Sequence, residues 1–365
     1  MRKMISLVWI LAVLLFSCAC DKEDDGGTNI PEPEVEKYTN PVFNPVFADP
    51  TVLDNRERDG YFYAYGTQDN WGFEPEGERL VPVLRSKDLV NWEDIGNAFT
   101  SMLNWNGVTN LFWAPDIQYV DGKYYLYYSL SIWGGEETSA IGVALSDTPA
   151  GPFTDLGKIL DKENSGVTNC IDSNVFTDDD GKEYIVWGSF HGIYMAALKT
   201  DHKTAKLNEK IQIAGNAFEA SYIFKREGYY YFMGSVGACC GENVSYHVTV
   251  ARSESLNGPY LDINGNDIMD AMDWNYGDND IKNVNSLYRN RAFVGPGHNS
   301  EIVKDDNGDD WIFYHAISVS EYTLPNGNAK RPMMLDKVVW ENGWPMIGVS
   351  GTPSSFATEV PVFNE

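Results

Sequence analysis

The chain has 365 residues, with 27 Lys and Arg against 53 Asp and Glu, which gives a formal net charge of −26 at pH 7. So large a negative charge argues against a nucleic-acid-binding protein, because such proteins neutralise phosphates with a basic surface. It also argues against attachment to anionic lipid through basic residues. Hydrophobic residues make up 43% of the chain and aromatic residues 13%, which is enough for a folded core and argues against disorder.

The first twenty residues have the composition of a secretory signal peptide. Arg2 and Lys3 precede an apolar run over residues 5–16, and small residues follow it. The run is shorter than the roughly 20 residues of a transmembrane helix, which leaves a buried N-terminal helix as the alternative. Cys18 and Cys20 lie where a bacterial lipoprotein carries its lipid, and the acidic residues after Cys20 favour that position slightly. Residues 1–20 are therefore predicted to be a lipoprotein-type signal peptide.

Residues 21–40 are predicted to form an acidic, flexible tether. The segment begins with acidic residues and two glycines, and Pro31 and Pro33 follow. A tethered and exported protein acts on something outside the cytoplasm. We therefore expect an outer-membrane or cell-surface lipoprotein, or otherwise a periplasmic protein, that contacts the membrane only through its N-terminal lipid.

The rest of the chain contains one phrase five times: an Asp, Asn or Glu, then Gly, then an aromatic-rich run. The copies lie at 59–66, 121–128, 180–187, 227–234 and 307–314. Asp-Gly and Asn-Gly favour tight hairpin turns, and aromatic runs favour strands. Further strands are expected before each turn, at 50–53, 117–120, 174–176, 222–225 and 301–304. A β-sandwich also contains such hairpins, but five copies predict an all-β, five-bladed β-propeller over residues 41–365.

A polar residue stands at or just before the predicted first strand of every blade. These residues are Asp49, Asp116, Asp172, Glu219 and His298. First strands line the central channel of a propeller, so these side chains are expected to converge. Like charges that converge raise at least one pKa, which can keep a carboxylic acid protonated near neutral pH. Each residue alone could equally cap a strand end, but the set predicts a site for glycoside hydrolysis, which uses paired carboxyl groups.

Sugar-binding sites also need aromatic platforms, and several aromatic residues lie near these acids. Trp71, Trp113, Trp133, Phe190 and Phe218 are the candidates. Each could instead belong to the hydrophobic core.

Several motifs in chain order resemble glycoside hydrolase family 43, a family of five-bladed β-propeller arabinanases, arabinofuranosidases and xylosidases. They are Ala48-Asp49-Pro50, the segment 86–92 (SKDLVNW), Trp113-Ala114-Pro115-Asp116, Ile171-Asp172, Phe218-Glu219-Ala220 and the segment 295–299 (GPGHN). The resemblance implies an inverting glycosidase acting on a neutral plant oligo- or polysaccharide.

The resemblance also implies roles for single residues. Asp49 is expected to be the general base, Glu219 the general acid, and Asp116 the group that orients the acid and raises its pKa. His298 is expected to lie near one structural calcium ion or a water cluster on the propeller axis, and no organic cofactor is expected. Expected substrate-binding residues are Trp113, Phe218, Asp172, Trp71 and Arg331.

The segment around Cys239-Cys240 resembles the arabinanase branch, which favours α-L-arabinofuranosyl linkages as the substrate. The two cysteines could form a disulfide or remain buried thiols. Ala48, Ser173 and Ser221 depart from residues that many arabinanases have there, which leaves endo and exo action open. The alternatives are a β-xylosidase or β-galactofuranosidase of the same family, or a non-catalytic carbohydrate-binding propeller. A monomer is expected.

Overall fold

The computed structural model describes residues 36–72, 77–105, 111–241, 243–277 and 285–364. The predicted signal peptide and most of the predicted tether lie outside the described residues. A compact unit begins at Glu36. Its first strand, β1 (Lys37–Tyr38), pairs with the last strand, β25 (Thr358–Glu359), so the folded unit starts slightly before the predicted residue 41.

Within the described residues, five antiparallel sheets of four or five strands follow one another along the chain. Blade 1 contains β2 (Thr51–Asp54), β3 (Phe62–Tyr65), β6 (Pro82–Ser86) and β7 (Trp92–Asn97). Blade 2 contains β8 (Leu111–Val120), β9 (Lys123–Ser131), β10 (Ala140–Ser146) and β11 (Thr154–Asp161). Blade 3 contains β12 (Asn174–Thr177), β13 (Glu183–Trp187), β14 (Ile193–Ala197) and β15 (Ile211–Ala214). Blade 4 contains β16 (Phe218–Arg226), β17 (Tyr229–Val236), β18 (His247–Ser253) and β19 (Asn285–Leu287). Blade 5 contains β20 (Phe293–Gly297), β21 (Ile302–Lys304), β22 (Asp310–Ser318), β23 (Met333–Glu341) and β24 (Trp344–Ile347). The arrangement is the predicted five-bladed β-propeller.

Helical structure is minor in the part of the chain that the structure describes. Two single-turn helices, α1 (Arg56–Asp59) and α2 (Lys162–Ser165), and two 3₁₀ turns, Leu207–Glu209 and Ile268–Asp270, lie in connections. None of these described helices has the length and apolar character needed to cross a bilayer. A small hairpin, β4 (Asp69–Asn70) with β5 (Glu78–Arg79), projects from blade 1.

The repeated turn behaves as predicted in blade 2. Asp121 and Gly122 both have positive φ, at 50° and 79°, and join the paired residues Val120 and Lys123. This is the geometry that makes Asp-Gly a hairpin signal. In blade 1 the same phrase differs, because α1 precedes the turn and Gly60 ends it with φ 82°.

The hydrophobic core lies between neighbouring blades. One cluster, for example, joins Tyr63 and Tyr65 of blade 1 to Phe112 and Leu126 of blade 2, and each of the other described clusters likewise spans two adjacent blades. Burial of these aromatic and aliphatic faces at about 25 cal/mol per Å² stabilises the packing of sheet on sheet.

One backbone feature recurs at the start of the innermost strand of every blade: a non-glycine residue with positive φ. These residues are Asp49 (54°), Ala114 (42°), Asp172 (58°), Ala220 (52°) and His298 (50°). Such a conformation is strained outside glycine, so surrounding contacts must hold it. The backbone N–H of Ala114 donates to Thr67 Oγ1 at 2.8 Å, and that of His298 donates to Ser235 Oγ at 2.8 Å. The repeated bend is what brings one side chain per blade to the mouth of the channel.

Below that bend, five side chains close a ring around the axis, which we call the axial ring. Its members are Thr51, Asp116, Asn174, Tyr222 and Glu301. Each accepts a backbone N–H from the innermost part of the next blade: Ile117 N to Thr51 (3.3 Å), Val175 N to Asp116 (2.9 Å), Ile223 N to Asn174 (3.1 Å), Ile302 N to Tyr222 (3.4 Å) and Val52 N to Glu301 (2.9 Å). The ring therefore links blade 5 back to blade 1.

Candidate active site

The mouth of the channel holds a pocket with three carboxyl groups, which we call the catalytic pocket. Asp49, Asp172 and Glu219 come from blades 1, 3 and 4. The rest of its wall is Thr67, Trp113, Trp133, Ile171, Cys239, Tyr246, His298 and Arg331. The structure thus brings Trp113, Arg331 and His298 to the predicted carboxyl groups.

Asp49 has an environment that keeps it ionised. Thr67 Oγ1 donates to its Oδ2 at 2.5 Å, and Arg331 Nη1 donates to its Oδ1 at 3.3 Å. His298 Nδ1 lies 3.3 Å from the same Oδ1. Burial alone would raise the pKa of Asp49, but Arg331, His298 and His315 together lower that pKa well below its usual range. A carboxylate held in this form can accept a proton from water.

Glu219 has the opposite environment. Ser189 Oγ donates to its Oε2 at 2.8 Å, and Tyr246 is also hydrogen-bonded to it. Burial is the largest influence and, with the charge of Asp49 adding to it, raises the pKa of Glu219 to about 7. A carboxyl group with that pKa is largely protonated in mildly acidic solution and can act as a general acid.

Asp172 lies beside the acid. Its Oδ2 accepts the backbone N–H of Ala220, the residue that follows Glu219, at 3.1 Å. Burial raises the pKa of Asp172 well above the usual value, and the charges of Glu219 and Asp49 raise it further. The position of this side chain fits a group that orients Glu219.

An indole pair forms the outer wall of the pocket. The ring centroids of Trp113 and Trp133 are 5.2 Å apart, and Trp133 is 72% exposed. Both rings also line an adjoining groove that includes Asp69, Glu78 and Asn328. The pair offers apolar surface to a sugar ring while the carboxyl groups offer polar contacts.

The family model for glycosyl hydrolases family 43 matches residues 38–345. The chain belongs to glycosyl hydrolase family 43. It is therefore a glycoside hydrolase.

Among relatives, the chain is 34% identical to an extracellular endo-α-(1→5)-L-arabinanase of Bacillus subtilis, over 83% of this chain and 88% of that one. It is 33% identical to an extracellular exo-α-(1→5)-L-arabinofuranosidase of Cellvibrio japonicus, over 73% of this chain and 80% of that one. The structure of a Cellvibrio cellulosa α-L-arabinanase complexed with arabinohexaose superposes with a TM-score of 0.68 and 27% identity, covering 83% of this chain and 96% of that one.

Asp116 does not lie where the sequence predicted. It is absent from the wall of the catalytic pocket and belongs to the axial ring, where it accepts N–H groups from Val175 and Gln118. The reason is the backbone bend: in blade 3 the bent residue is Asp172 itself, whereas in blade 2 it is Ala114, two residues before Asp116. Asp172 rather than Asp116 therefore lies beside Glu219 in the catalytic pocket.

Trp71 and Phe218 are also placed differently from the prediction. Trp71 is 7% exposed and packs against Phe43, with the Arg79 guanidinium over its ring. Phe218 is fully buried against Phe232. Both side chains belong to the hydrophobic core and neither lines the pocket, so the prediction that they bind substrate is wrong.

Several residues of the site were missed in the sequence, although a signal for them exists. The aromatic run of each blade ends in a Thr, Ser or His: Thr67, Ser129, Ser189, Ser235 and His315. In the structure these side chains bind the bent residues or the carboxyl groups, as Ser189 binds Glu219. Tyr246, buried and stacked on His315, had no such repeated signal.

The two adjacent cysteines are joined by a disulfide. Cys239 lines the catalytic pocket and Cys240 lines the adjoining groove. Cys170 is a buried free thiol, and burial raises its pKa to about 11, so it is poorly reactive.

Proposed function

We propose that this protein is an exported, inverting glycoside hydrolase that cuts α-L-arabinofuranosyl linkages in arabinan or arabino-oligosaccharides. The observation that carries the proposal is that Asp49 and Glu219 share one pocket, where Arg331 beside Asp49 lowers its pKa and burial raises the pKa of Glu219 to about 7. The arabinanase and arabinofuranosidase relatives support the choice of sugar.

In the proposed mechanism Asp49 removes a proton from a water molecule whose oxygen attacks the anomeric carbon. Glu219 donates its proton to the glycosidic oxygen as the bond to the leaving sugar breaks. A single displacement of this kind inverts the configuration. Asp49 then carries a proton and Glu219 a negative charge, and exchange with solvent restores both.

Asp172 and Arg331 support this reaction without exchanging protons with the substrate. Asp172 fixes the backbone next to Glu219, so it holds the acid in place. Arg331 keeps Asp49 ionised, which preserves a base under the conditions in which Glu219 is still an acid. Trp113 and Trp133 provide the surface against which the sugar packs.

Export and anchoring are part of the proposal. The named bacterial relatives are extracellular enzymes. Lipidation at Cys20, or alternatively Cys18, would hold this one at a membrane. The test is the membrane fraction of cells that produce the full chain: Cys20→Ala is expected to release the protein, and Cys18→Ala is expected to leave it bound.

The axial calcium ion that the family resemblance implies finds little support in the donors near His298. Unpartnered oxygens of Ser173, Ser221 and Asn299 line a cavity of about 20 Å³ under the catalytic pocket. The described residues hold no cluster of three His, Cys, Asp or Glu side chains suited to a metal. Calcium usually takes six to eight oxygen ligands. The donors therefore do not fit a directly coordinated calcium ion, and no catalytic step is assigned to one.

The deciding experiment is a reducing-sugar assay on debranched arabinan and arabinoxylan, together with nitrophenyl α-L-arabinofuranoside, β-xyloside and β-galactofuranoside. We expect turnover on the arabinofuranosyl substrates and, by NMR, release of a product of inverted configuration. Preference for the xyloside or galactofuranoside would replace the proposed substrate. Retention would reject the mechanism, and binding without any turnover would indicate a carbohydrate-binding propeller.

A further inference from the structure

The axial ring contains two carboxyl groups that the reaction does not use. Asp116 comes from blade 2 and Glu301 from blade 5, both line the cavity of about 20 Å³ under the catalytic pocket, and the charge of Glu301 raises the pKa of Asp116. Two carboxylates cannot form a hydrogen bond without a proton, because an ionised carboxylate only accepts. Two buried carboxyl groups that repel each other in this way are most stable when one of them keeps a proton, which can then form a hydrogen bond between them.

Each carboxyl group also holds a neighbouring blade. Glu301 accepts the Thr51 hydroxyl at 2.8 Å and the Val52 N–H at 2.9 Å, both from blade 1. Asp116 accepts the Val175 N–H of blade 3 at 2.9 Å. The two groups and their partners therefore lie on blades 1, 2, 3 and 5, so a hydrogen bond between the two carboxyl groups would join all four blades.

The described wall of the cavity that both groups line offers N–H and hydroxyl donors but no cation to balance a second negative charge. The cavity wall that includes both groups has no Lys or Arg, and the basic group it does contain, His298, has its pKa lowered to about 4, chiefly by burial. Tyr222 lies in the same wall, and its raised pKa keeps it neutral. Asp172, in the same wall, adds negative charge whenever it ionises. Asp116 is 3% exposed, so an uncompensated charge there would be costly.

We propose that Asp116 and Glu301 share one proton on the propeller axis, and that this proton fastens blade 5 to blades 1, 2 and 3 beneath the catalytic pocket. The pair is a positioning element. It holds the innermost strands of the blades that carry Asp49 and Asp172, and it does so by a hydrogen bond that disappears when the proton is lost.

The pair should make stability depend on pH in a definite direction. Burial, followed by the charge of Glu301, raises the pKa of Asp116 well above its usual value, and burial also raises the pKa of Glu301. A group with a raised folded-state pKa binds more protons in the folded than in the unfolded state. Its contribution is fully present below the unfolded-state pKa, and it is lost as the pH rises through the folded-state pKa.

The test compares Tm against pH for the wild type, Glu301→Gln and the control Glu227→Gln, a substitution in an exposed turn. The glutamine at 301 can still accept from Val52 and can donate to Asp116, so it imitates the protonated pair but does not titrate. We expect the Tm of this variant to equal that of the wild type at acidic pH. As the pH rises, the Tm of the variant should fall by several degrees less than that of the wild type. The control should follow the wild type throughout, and parallel curves for all three proteins would overturn the shared proton.

Infrared spectroscopy gives a second readout, which does not depend on catalysis. In a Glu219→Gln, Asp172→Asn background, measured above the raised pKa of about 6 of the buried Asp336, the C=O band of a protonated carboxylic acid should remain, and it should decrease when Glu301→Gln is added. Absence of the band before that addition would contradict the proposal.

Positioning is tested by Glu301→Ala, which removes the acceptor for Val52 and Thr51. We expect kcat of Glu301→Ala to fall about 10- to 100-fold with a smaller change in KM, as for displaced catalytic groups. The kcat of Glu301→Gln should stay near the wild-type value. Full activity of a folded Glu301→Ala protein would reject the positioning role. If that variant does not fold, the Tm curves and the infrared band still decide whether the proton is shared. None of these outcomes depends on which sugar is the substrate.

Discussion

The catalytic pocket and the axial ring are two neighbouring levels of the same channel, and both are rich in carboxyl groups. In the pocket, Asp49 lies beside Arg331 and histidines, which lower its pKa. Glu219 is buried and contacts hydroxyl groups, and burial raises its pKa, so the two pKa values differ widely. In the ring, Asp116 and Glu301 face each other and backbone N–H groups. Carboxyl groups thus supply an acid and a base in the catalytic pocket and connect neighbouring blades in the axial ring, because their partners differ.

Neutralising the two catalytic carboxyl groups should have the largest effect on activity. Glu219→Gln cannot donate the proton and Asp49→Asn cannot accept one. Each is expected to lower kcat by about 10²–10⁴-fold, the usual contribution of general acid–base groups. Rates on debranched arabinan, with Tm as a check on folding, measure the effect. Near-normal turnover by either folded variant would show that the pocket has been misassigned.

A smaller effect should separate Asp172 from Asp116. Asp172→Asn weakens the hold on the backbone beside Glu219 and alters the charge of the pocket, so we expect kcat/KM to fall about tenfold or more, as when a catalytic group is misplaced. Asp116→Asn keeps an oxygen acceptor for Val175 and lies outside the pocket, so most turnover should remain. The reverse order of effects would restore the sequence-based assignment of Asp116.

The pH profile should report the hydrogen bonds to Glu219. The hydroxyl groups of Tyr246 and Ser189 lower the pKa of Glu219 because they favour its charged form. Ser189→Ala and Tyr246→Phe should therefore raise this pKa above its present value of about 7, and the alkaline limb of kcat/KM should move to higher pH. Ser146→Ala, which removes a hydroxyl of blade 2 that binds the Thr148 N–H outside the pocket, is the matched control and should leave the limb in place.

The five-fold repeat explains how much the sequence could reveal. Turn phrases and aromatic runs predicted the blades, and the polar residue before each first strand predicted Asp49, Glu219 and His298 in the site. The position of Asp116 in the axial ring could not be predicted in this way, because Ala114 rather than Asp116 has the positive φ in blade 2. Glu301 lies one residue beyond the position expected from the other blades, and its partner Asp116 is distant in sequence. The prediction that Trp71 and Phe218 bind substrate was wrong for a simpler reason. An aromatic residue near an acid in the sequence can point to either side of a strand, and both of these point into the core.

The smallest predicted effect concerns the aromatic side chains and tests that last distinction. Trp133→Ala removes a 72% exposed indole from the pocket wall, so we expect KM to rise a few-fold while Tm stays constant, because little core packing is lost. Trp71→Ala removes a buried indole, which should cost about 3–5 kcal/mol of unfolding free energy. Its KM should stay near the wild-type value at temperatures where it is folded. A large KM effect from Trp71→Ala with unchanged stability would show that the two indoles had been assigned the wrong way round.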